Sequence, residues 1–278
     1  MIVFRVKKRG LGYDIMQIED FPKLKTLNVS IDNGVAEIKF CRPEKLNSLN
    51  LNTINQLKTA VDSAINDPEV RVVILRSGER AFVAGADILE MSNLNIEEAK
   101  SFSSKGQELF NTIENSCKPF IASINGFALG GGCELLLSSH IRFCSVNAKF
   151  GQPEVGLGLI AGFGGTQRLP RLVGKGAACK MLLSGEIIDS KEAFRIGLVD
   201  KIADDLDAEV DAISLKISKN SPNAISKTLE SINKGVDTNM KTGLLIEREL
   251  FSQTFQNSDS DEGMDAFINK RKPKFKDI

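Results

Sequence analysis

Two nearly continuous apolar runs restrict the fold of this chain more than any other feature of its sequence. They are Val72 to Leu75 and Phe120 to Ile124, and neither alternates apolar with polar residues. A run without such alternation is typical of a strand that is covered on both faces, as in a parallel sheet. Because parallel strands need a crossover connection, which is usually a helix, these runs predict an α/β fold.

The chain up to about residue 205 alternates strand patterns with helical ones. A turn signal, Asp32-Asn33-Gly34, separates the first two strand patterns, and apolar residues then recur at helical spacing until Asp67-Pro68. The predicted elements are strands at 27–32 and 34–40, a helix at 54–65, a strand at 71–75, a loop at 81–88, a helix at 96–116, a strand at 120–124, a helix at 130–139 and a strand at 141–146. Such alternation favours α/β architecture with crossover connections.

From about residue 205 onward only helical patterns occur, at 207–219, 222–234, 240–256 and 260–272. A segment of this size is too small and too amphipathic to stand alone, so we expect it to pack on the core or on a neighbouring subunit. The predicted division is therefore an N-terminal extension at 1–25, a core at 26–205 and a helical C-terminal region at 206–278.

Composition excludes several classes of protein. The chain has 36 basic and 36 acidic residues, so it has no global attraction to nucleic acid or to anionic membranes. Its five cysteines are odd in number and contain no Cys-x-x-Cys pair, which argues against a disulfide framework and a zinc site. No apolar stretch approaches the ~20 residues that span a bilayer. We expect a cytoplasmic protein, although the basic residues within 1–13 leave a cleaved transit peptide open.

Two glutamates stand out because a glycine-rich segment delivers each of them. Glu134 follows the glycines at 130–132, and Glu154 ends the segment Phe-Gly-Gln-Pro-Glu at 150–154. Glycine lets backbone approach a ligand closely, and a glycine run at the start of a helix exposes backbone N–H groups. The pair predicts acid/base chemistry. The alternatives are that Glu134 is a first-turn acid stabilised by the helix dipole and that Glu154 is a surface carboxylate after a proline turn.

The segment from 150 to 169 is also rich in glycine but carries apolar residues, so it predicts a packed, curved loop and not a flexible linker. It fits neither the dinucleotide-binding nor the Gly-Lys-Ser/Thr phosphate-loop pattern. The segment from Ala81 to Met91 has small residues around Gly85, which leave room for a ligand, and Asp87 could cap the turn that follows. An ordinary loop is the alternative there.

Other catalytic chemistries find little support. His140 is the only histidine, and no Gly-x-Ser-x-Gly motif is present, so a serine hydrolase is disfavoured. His140 is more typical of a helix-end or packing residue. Glu134 and Glu154 have no second histidine or clustered acids beside them, which disfavours a metal site.

Taken together, three glycine-containing segments resemble the crotonase (enoyl-CoA hydratase/isomerase) family. They are 84–88, 125–134 and 150–154, the last followed by the stretch 162–169. The resemblance extends from about residue 27 to the end and also covers 42–50, 262–267 and 270–273. It implies a spiral of ββα units with an α-helical C-terminal region that contributes to trimer formation and to the acyl-CoA pocket. Trimers of this family commonly pair into hexamers.

The resemblance also implies the roles of individual residues. The N–H groups of Ala86 and Gly131 would form an oxyanion hole for the thioester oxygen, and the carboxyls of Glu134 and Glu154 would hold one water. We assign Glu134 as the base and Glu154 as the acid. Contacts to the substrate are implied for further residues, namely Lys45, Leu46, Ala84, Asp87, Ile88, Leu89, Gly162, Phe267 and Lys270. The basic residues at 270–276 would meet the phosphates of coenzyme A, which is part of the substrate; no other cofactor and no metal is expected.

Since both glutamates are present, the chain resembles a hydratase, which catalyses reversible syn addition of water to a trans-2-enoyl-CoA. Alternatives are an enoyl-CoA isomerase, another enolate-stabilising member and, in a different class, an RNA-binding homologue. Two positions depart from the family pattern. Ala161 stands where proline is usual, which predicts a less rigid loop before Gly162, and His140 stands where aspartate is usual, which puts a local hydrogen bond in doubt.

Overall fold

The structure, a computed structural model, describes residues 4–9, 12–17, 24–78 and 80–276. Its strands are β1 (Phe4–Arg9), β2 (Gly12–Gln17), β3 (Leu27–Asp32), β4 (Val35–Phe40), β5 (Val72–Arg76), β6 (Ala81–Ala84), β7 (Phe120–Ile124), β8 (Phe127–Leu129), β9 (Ile141–Ser145), β10 (Lys149–Gly151), β11 (Ile187–Asp189) and β12 (Lys201–Ala203).

The α-helices lie between and after these strands. They are α1 (Leu51–Asn66), α2 (Ile88–Met91), α3 (Ile96–Glu114), α4 (Gly131–Leu137), α5 (Gly165–Val173), α6 (Lys175–Ser184), α7 (Ser190–Arg195), α8 (Leu206–Ile217), α9 (Pro222–Val236), α10 (Met240–Thr254) and α11 (Ser258–Ile268). Two short 3-10 helices, Pro43–Lys45 and Pro153–Leu157, complete the described elements.

The larger sheet confirms the α/β prediction. Its strand order is β12-β9-β7-β5-β4-β3-β1-β2, and the pairs from β4 to β12 are parallel. The two apolar runs form the neighbouring strands β5 and β7, which are buried along almost their whole length. The main hydrophobic core lies on one face of this sheet against α1 and α3, and α8 covers the other face through Leu206 and Val210. Covering on both faces explains the lack of alternation.

A smaller sheet has the order β11-β10-β8-β6, and its strands β6, β8 and β10 are parallel. The prediction of a loop at 81–88 was wrong for its first half, because Ala81–Ala84 is a strand that pairs with β8. Strands of three or four residues show no clear period in the sequence, and their hydrogen-bond partners lie far along the chain. The second half, 85–87, is the link to α2.

The N-terminal strands β1 and β2 pair with each other, and β1 also pairs in parallel with β3 at the edge of the larger sheet. The rest of the segment 1–23 lies outside the described residues, so the transit-peptide alternative stays a prediction. No helix in the described parts of the chain combines the length and apolar character that crossing a bilayer requires.

The predicted C-terminal helices are confirmed as α8 to α11. The last one ends at Ile268, earlier than the predicted residue 272, because Lys270 adopts a left-handed backbone with φ of 53°. A non-glycine residue in that region ends a helix. The division at residues 205 and 206 coincides with the start of α8, but α8 packs on the larger sheet, so the domain boundaries stay a prediction.

Candidate active site

The carboxyl ends of β6, β8 and β10 lie at one edge of the smaller sheet, because these strands are parallel. Ala84 in β6 pairs with Leu129 in β8. Ala86 and Gly131 each follow one member of that pair by two residues, so both residues lie at the same edge. Leu129 also pairs with Gly151 in β10, which brings the segment that carries Glu154 to this edge.

The local backbone leaves both N–H groups free to meet a ligand. The residues on either side of Ala86 are hydrogen-bonded to Leu49. The N–H of Leu49 donates to the Gly85 carbonyl at 2.8 Å, and the carbonyl of Leu49 accepts from the Asp87 N–H at 2.9 Å. Gly131 is the first residue of α4, where a helix leaves its N–H groups without internal partners. Within the described residues neither the Ala86 nor the Gly131 N–H donates to a protein acceptor.

Glycines at this edge allow close approach of backbone to backbone. Gly130 has φ of +48°, and a Cβ there would lie 2.8 Å from Glu154 Oε1. A Cβ on Gly132 would lie 2.8 Å from the Cβ of Val83 in β6 and would collide with the Val83 carbonyl. The glycine run therefore packs α4 directly against β6 and leaves space for the Glu154 carboxyl.

Glu134 is buried on α4, with 2% of its surface exposed. Its Oε1 accepts the backbone N–H groups of Phe163 and Gly165, each at 2.7 Å. Burial raises the pKa of Glu134 to about 7; Glu154 adds to the rise, while the two N–H donors and Arg168 oppose it. Since Oε1 is held by two donors, Oε2 is the oxygen left for chemistry. This placement contradicts the alternative of a solvated first-turn acid.

Glu154 lies in the 3-10 helix at 153–157 and is half-buried. With the nitrogen of its side-chain amide turned towards Glu154, Gln152, which is 1% exposed, donates to both carboxyl oxygens at 3.0 and 3.1 Å; this amide orientation is assigned from the hydrogen-bonding partners. Burial raises the pKa of Glu154, and its own backbone N–H opposes that rise. A partly buried carboxyl with a raised pKa and a buried amide partner differs from the free surface carboxylate that was the alternative.

The groups beside the two carboxyls do not take part in proton exchange. The thiol of Cys133 stays protonated, because burial and both glutamates raise its pKa. No cluster of metal-ligating side chains occurs in the described ranges. The charge of Glu154 raises the pKa of Glu134, and two interacting carboxyls titrate as a pair, which is the property that an acid/base pair needs.

A support for Glu134 that the sequence interpretation missed comes from α3. Ser103 Oγ and Gln107 Nε2 donate to the Gly162 carbonyl at 2.6 and 2.9 Å. The ring of Phe163 lies against Gly106, where any Cβ would collide with it. An isolated glycine inside a helical pattern is a signal of close packing, so Gly106 could have been noticed. The loop at Ala161, expected to be less rigid, is thus hydrogen-bonded to α3 at the next residue, Gly162.

Asp87 differs from its prediction as a turn cap. It precedes α2, but its side chain makes no capping hydrogen bond there. Its carboxylate instead lies 3.5 Å from Arg42 Nη2 in a mostly buried ion pair. The arginine also donates to the Ser48 carbonyl at 2.9 Å, so the pair fastens the segment before α1 to the turn after β6.

The remaining predicted substrate contacts fall into two groups. Leu46 is half-buried and accepts the Ala84 N–H at 3.0 Å, so both lie beside the oxyanion edge. Lys45, Ile88 and Leu89 are exposed around it, and Gly162 precedes the Glu134-binding loop. Phe267 and Lys270 lie instead at the exposed end of α11. No hydrogen bond or ion pair links those two to the glutamates within the described residues, and their role stays a prediction.

His140 makes the local hydrogen bonds that its departure from the family pattern had put in doubt. Its Nδ1 accepts the Phe120 N–H at 2.9 Å, and its Nε2 lies 3.1 Å from the Glu114 carbonyl. Burial lowers the pKa of His140 to about 4, so the ring is neutral near pH 7. The packing interpretation is confirmed, since the imidazole joins β7 to the end of α3.

Comparisons with known proteins agree with this site. A family model described as enoyl-CoA hydratase/isomerase matches residues 30–278. A crotonyl-CoA hydratase of Syntrophomonas wolfei is 46% identical over 268 residues, which are 95% of this chain and 99% of that protein. A short-chain-enoyl-CoA hydratase of Clostridium acetobutylicum is 44% identical over 253 residues, which are 90% and 97% of the two chains.

Solved structures give the same result for the fold. The crystal structure of an enoyl-CoA hydratase from Bacillus anthracis superposes with a TM-score of 0.88 at 35% identity and covers 91% of this chain and 99% of that one. One from Geobacillus kaustophilus has a TM-score of 0.89 at 33% identity and covers 92% and 98%. The family match, the identities and the shared fold lead to one conclusion: the chain belongs to the enoyl-CoA hydratase/isomerase family.

Proposed function

We propose that this protein is an enoyl-CoA hydratase, which reversibly adds water to a trans-2-enoyl-CoA to give a 3-hydroxyacyl-CoA. The observation that carries the proposal is the meeting of two carboxyls with raised pKa, Glu134 and Glu154, with two backbone N–H groups that have no acceptor in the described part of the chain, at one sheet edge. Relatives at 44 to 46% identity that are named as hydratases support it.

The N–H groups of Ala86 and Gly131 supply electrostatic stabilisation. Attack of water at C3 moves negative charge through the double bond to the thioester oxygen, which then resembles an enolate oxygen. Fixed donors act on charge as it develops, because they need no reorganisation during the reaction. Both donors are backbone groups, so the small residues at 84–86 and 130–132 matter by leaving the oxygen room to reach them.

In the hydration direction Glu134 acts as the base and Glu154 as the acid. Two N–H donors at 2.7 Å favour the ionised form of Glu134 once substrate excludes water. Its Oε2 takes a proton from the attacking water, and protonated Glu154 gives a proton to C2. The roles exchange for dehydration. One proton passes from Glu154 to C2 and one passes from the water to Glu134, so the pair carries one proton before the reaction and one after it.

The remaining properties follow from this chemistry and from the surface. The reaction needs no cofactor beyond the coenzyme A of the substrate, since both proton transfers use the two carboxyls. Exposed apolar residues on α9 to α11 support assembly into a homotrimer or homohexamer. The five cysteines are unpaired, which supports a cytoplasmic location. Nucleic acid and membrane are not proposed as partners.

Crotonyl-CoA is the first substrate to test. Hydration removes the conjugated double bond, so the absorbance of the enoyl thioester falls as the reaction proceeds. We expect turnover by the purified protein and formation of a 3-hydroxyacyl-CoA. A folded protein that is inactive on short and medium chains would contradict the proposal. Conversion of a 3-enoyl-CoA to the 2-enoyl isomer without hydration would favour the isomerase alternative, and a series of chain lengths would define the substrate.

A further inference from the structure

The carboxylate of Glu134 depends on one loop for its position. Both hydrogen bonds to its Oε1 come from the backbone of residues 163–165. Such bonds place the carboxylate correctly only if that backbone is itself held. The side of the loop at Gly162 is bound by α3, as described above. The side at Phe163 and Gly164 has a different anchor.

That anchor is Arg168 in the first turn of α5. Its Nη1 donates to the Phe163 carbonyl at 3.1 Å, and its Nε donates to Glu114 Oε2 at 2.9 Å. Its Nη2 binds Asn111 Oδ1 and the same Glu114 oxygen. The guanidinium, 11% exposed, therefore links the loop to the C-terminal turn of α3. A planar group with donors at fixed angles suits such a three-way link.

The loop is built around this guanidinium. Gly164 has φ of +114°, and a Cβ at that position would collide with Arg168 Nη1. Only glycine lets the arginine reach across residue 164 to the carbonyl of Phe163. Helix energetics do not explain the arginine, because a cation near a helix N-terminus is unfavourable and α5 has no acidic residue in its first turn.

We propose that Arg168 is a positioning residue. It holds the 163–165 loop, and the two backbone N–H groups of that loop in turn hold the carboxylate of Glu134 in the reactive position. This inference rests on the proposed hydratase function. Arg168 also acts on Glu134 through its charge, which opposes the rise in pKa of that carboxyl. Glu154 is the other charged group that acts on Glu134, with the opposite sign, and the Cys133 thiol beside it stays neutral.

Two substitutions separate the geometric role from the charge. Arg168→Lys keeps the charge but loses the planar fork, and Arg168→Gln loses both. We expect kcat for crotonyl-CoA to fall roughly 10- to 100-fold in each, as for a misplaced catalytic group, while KM changes little. Only Arg168→Gln should shift the acidic limb of the pH–kcat profile to higher pH. The control is Arg171→Gln on the same helix, because Arg171 bonds to Gln167 and Asp237 and not to the loop.

Each outcome decides the proposal. Folded Arg168 variants whose kcat and pH profile match those of wild type would overturn it, as would an equal loss in the Arg171 control. If the Arg168 variants do not fold, Glu114→Gln tests the same link with the arginine intact. Glu114→Gln should lower kcat without shifting the acidic limb of the pH–kcat profile to higher pH. An unchanged kcat would overturn the proposal. Inactivity of the wild type itself would refute the hydratase function instead, so the two failures are distinguishable.

Discussion

The catalytic edge of the smaller sheet and the C-terminal helices α9 to α11 solve opposite problems. At the edge, a carboxyl is buried and hydrogen-bonded, since Glu134 accepts two backbone N–H groups. On the helices, apolar side chains are exposed: α9 buries none of its residues, and α10 buries only Leu250. Glu134 is thus held by groups of its own chain, whereas the helices leave apolar side chains in contact with solvent.

The exposed surface has a definite shape. Apolar side chains line a groove of about 550 Å³ between α9, α10, α11 and Phe275, and Phe267 at the end of α11 is 84% exposed. Leaving large apolar groups in water is unfavourable. The comparison teaches that the placement of the acid/base pair follows from sheet register, while the C-terminal helices keep apolar side chains exposed, which is the surface that the proposed assembly would cover.

The largest effect is expected from the two carboxyls at the catalytic edge. Glu134→Gln and Glu154→Gln keep the size of the side chain but remove the proton transfer, so kcat should fall ~100- to 10,000-fold in each. Acyl-CoA binding should persist, because the N–H donors are unchanged. Steady-state kinetics and a binding titration measure both quantities. Wild-type rates in either variant would remove that glutamate from the site.

Gly130 tests how tightly the edge is packed. Gly130→Ala places a methyl group 2.8 Å from Glu154 Oε1 and forces alanine to φ of +48°. We expect kcat to fall roughly 10- to 100-fold and stability to fall by about 1 to 3 kcal/mol, measured by kinetics and denaturant unfolding. Gly176→Ala in α6 is the control, because its Cβ meets nothing within 4 Å; it should leave both unchanged or raise stability slightly.

The C-terminal surface is tested by adding a charge at a side chain that is exposed in the single chain. Leu244 on α10 is 55% exposed, so Leu244→Glu should leave the fold of one chain intact while it disfavours the proposed interface. Light scattering should show a smaller assembly than wild type. Lys191→Glu, on the exposed side of α7, changes the net charge by two units, against one for Leu244→Glu, and is the control for charge added elsewhere on the surface; it should not alter the mass. A monomeric wild type would contradict the proposed assembly.

The smallest effect is the pH dependence of stability, which has opposite signs in the two regions. Burial raises the pKa of Glu134 to about 7. Its contribution is therefore fully present below the unfolded pKa and is lost as the pH rises through about 7. We expect Glu134→Gln to be more stable than wild type at pH 8 by on the order of 1 kcal/mol or more, with no such gain at pH 4.

Glu262 in α11 behaves in the other direction. Hydrogen bonds from Arg271 and from the Lys274 backbone hold its pKa down to about 2. Its contribution is present above the unfolded pKa and is lost as the pH falls towards about 2. Glu262→Gln should therefore lose a little stability at neutral pH and nothing in strong acid. Denaturant titrations at several pH values measure the free energy of unfolding of both variants. If that free energy, relative to wild type, changed with pH in the same direction for both, the predicted opposite signs would be wrong.

Much of this fold was accessible from the sequence because its signals are local. The apolar runs at 72–75 and 120–124, the turn at Asp32-Asn33-Gly34 and the helical periods all describe neighbouring residues, and the corresponding elements were found. Strands of three or four residues were missed, because their stability comes from pairing across the sheet. The early end of α11 depended on the backbone angle of a single residue, Lys270.

The candidate site divides in the same way. The glutamates and the glycine run could be predicted, because the glycines stand next to the carboxylates in the sequence, where they allow close backbone approach and expose backbone N–H groups. The residues that hold Glu134 could not, since Ser103 lies 59 residues from the carbonyl it binds and Arg168 lies 54 residues from Glu114. Gln152 stands two residues before Glu154 in the sequence, but nothing there indicated that its amide is buried against that carboxyl.

The register of the smaller sheet has a consequence for changes of chain length. Each reactive group stands at a set offset from one row of paired residues, namely Ala84, Leu129 and Gly151. A one-residue insertion between that row and the reactive groups, at 84–86 or 129–134, would turn a donor or carboxylate away from its neighbours. Insertions in the crossovers that lead into the strands would leave the row intact. Natural or engineered diversity in this scaffold should therefore accumulate ahead of the strands and be excluded just after them.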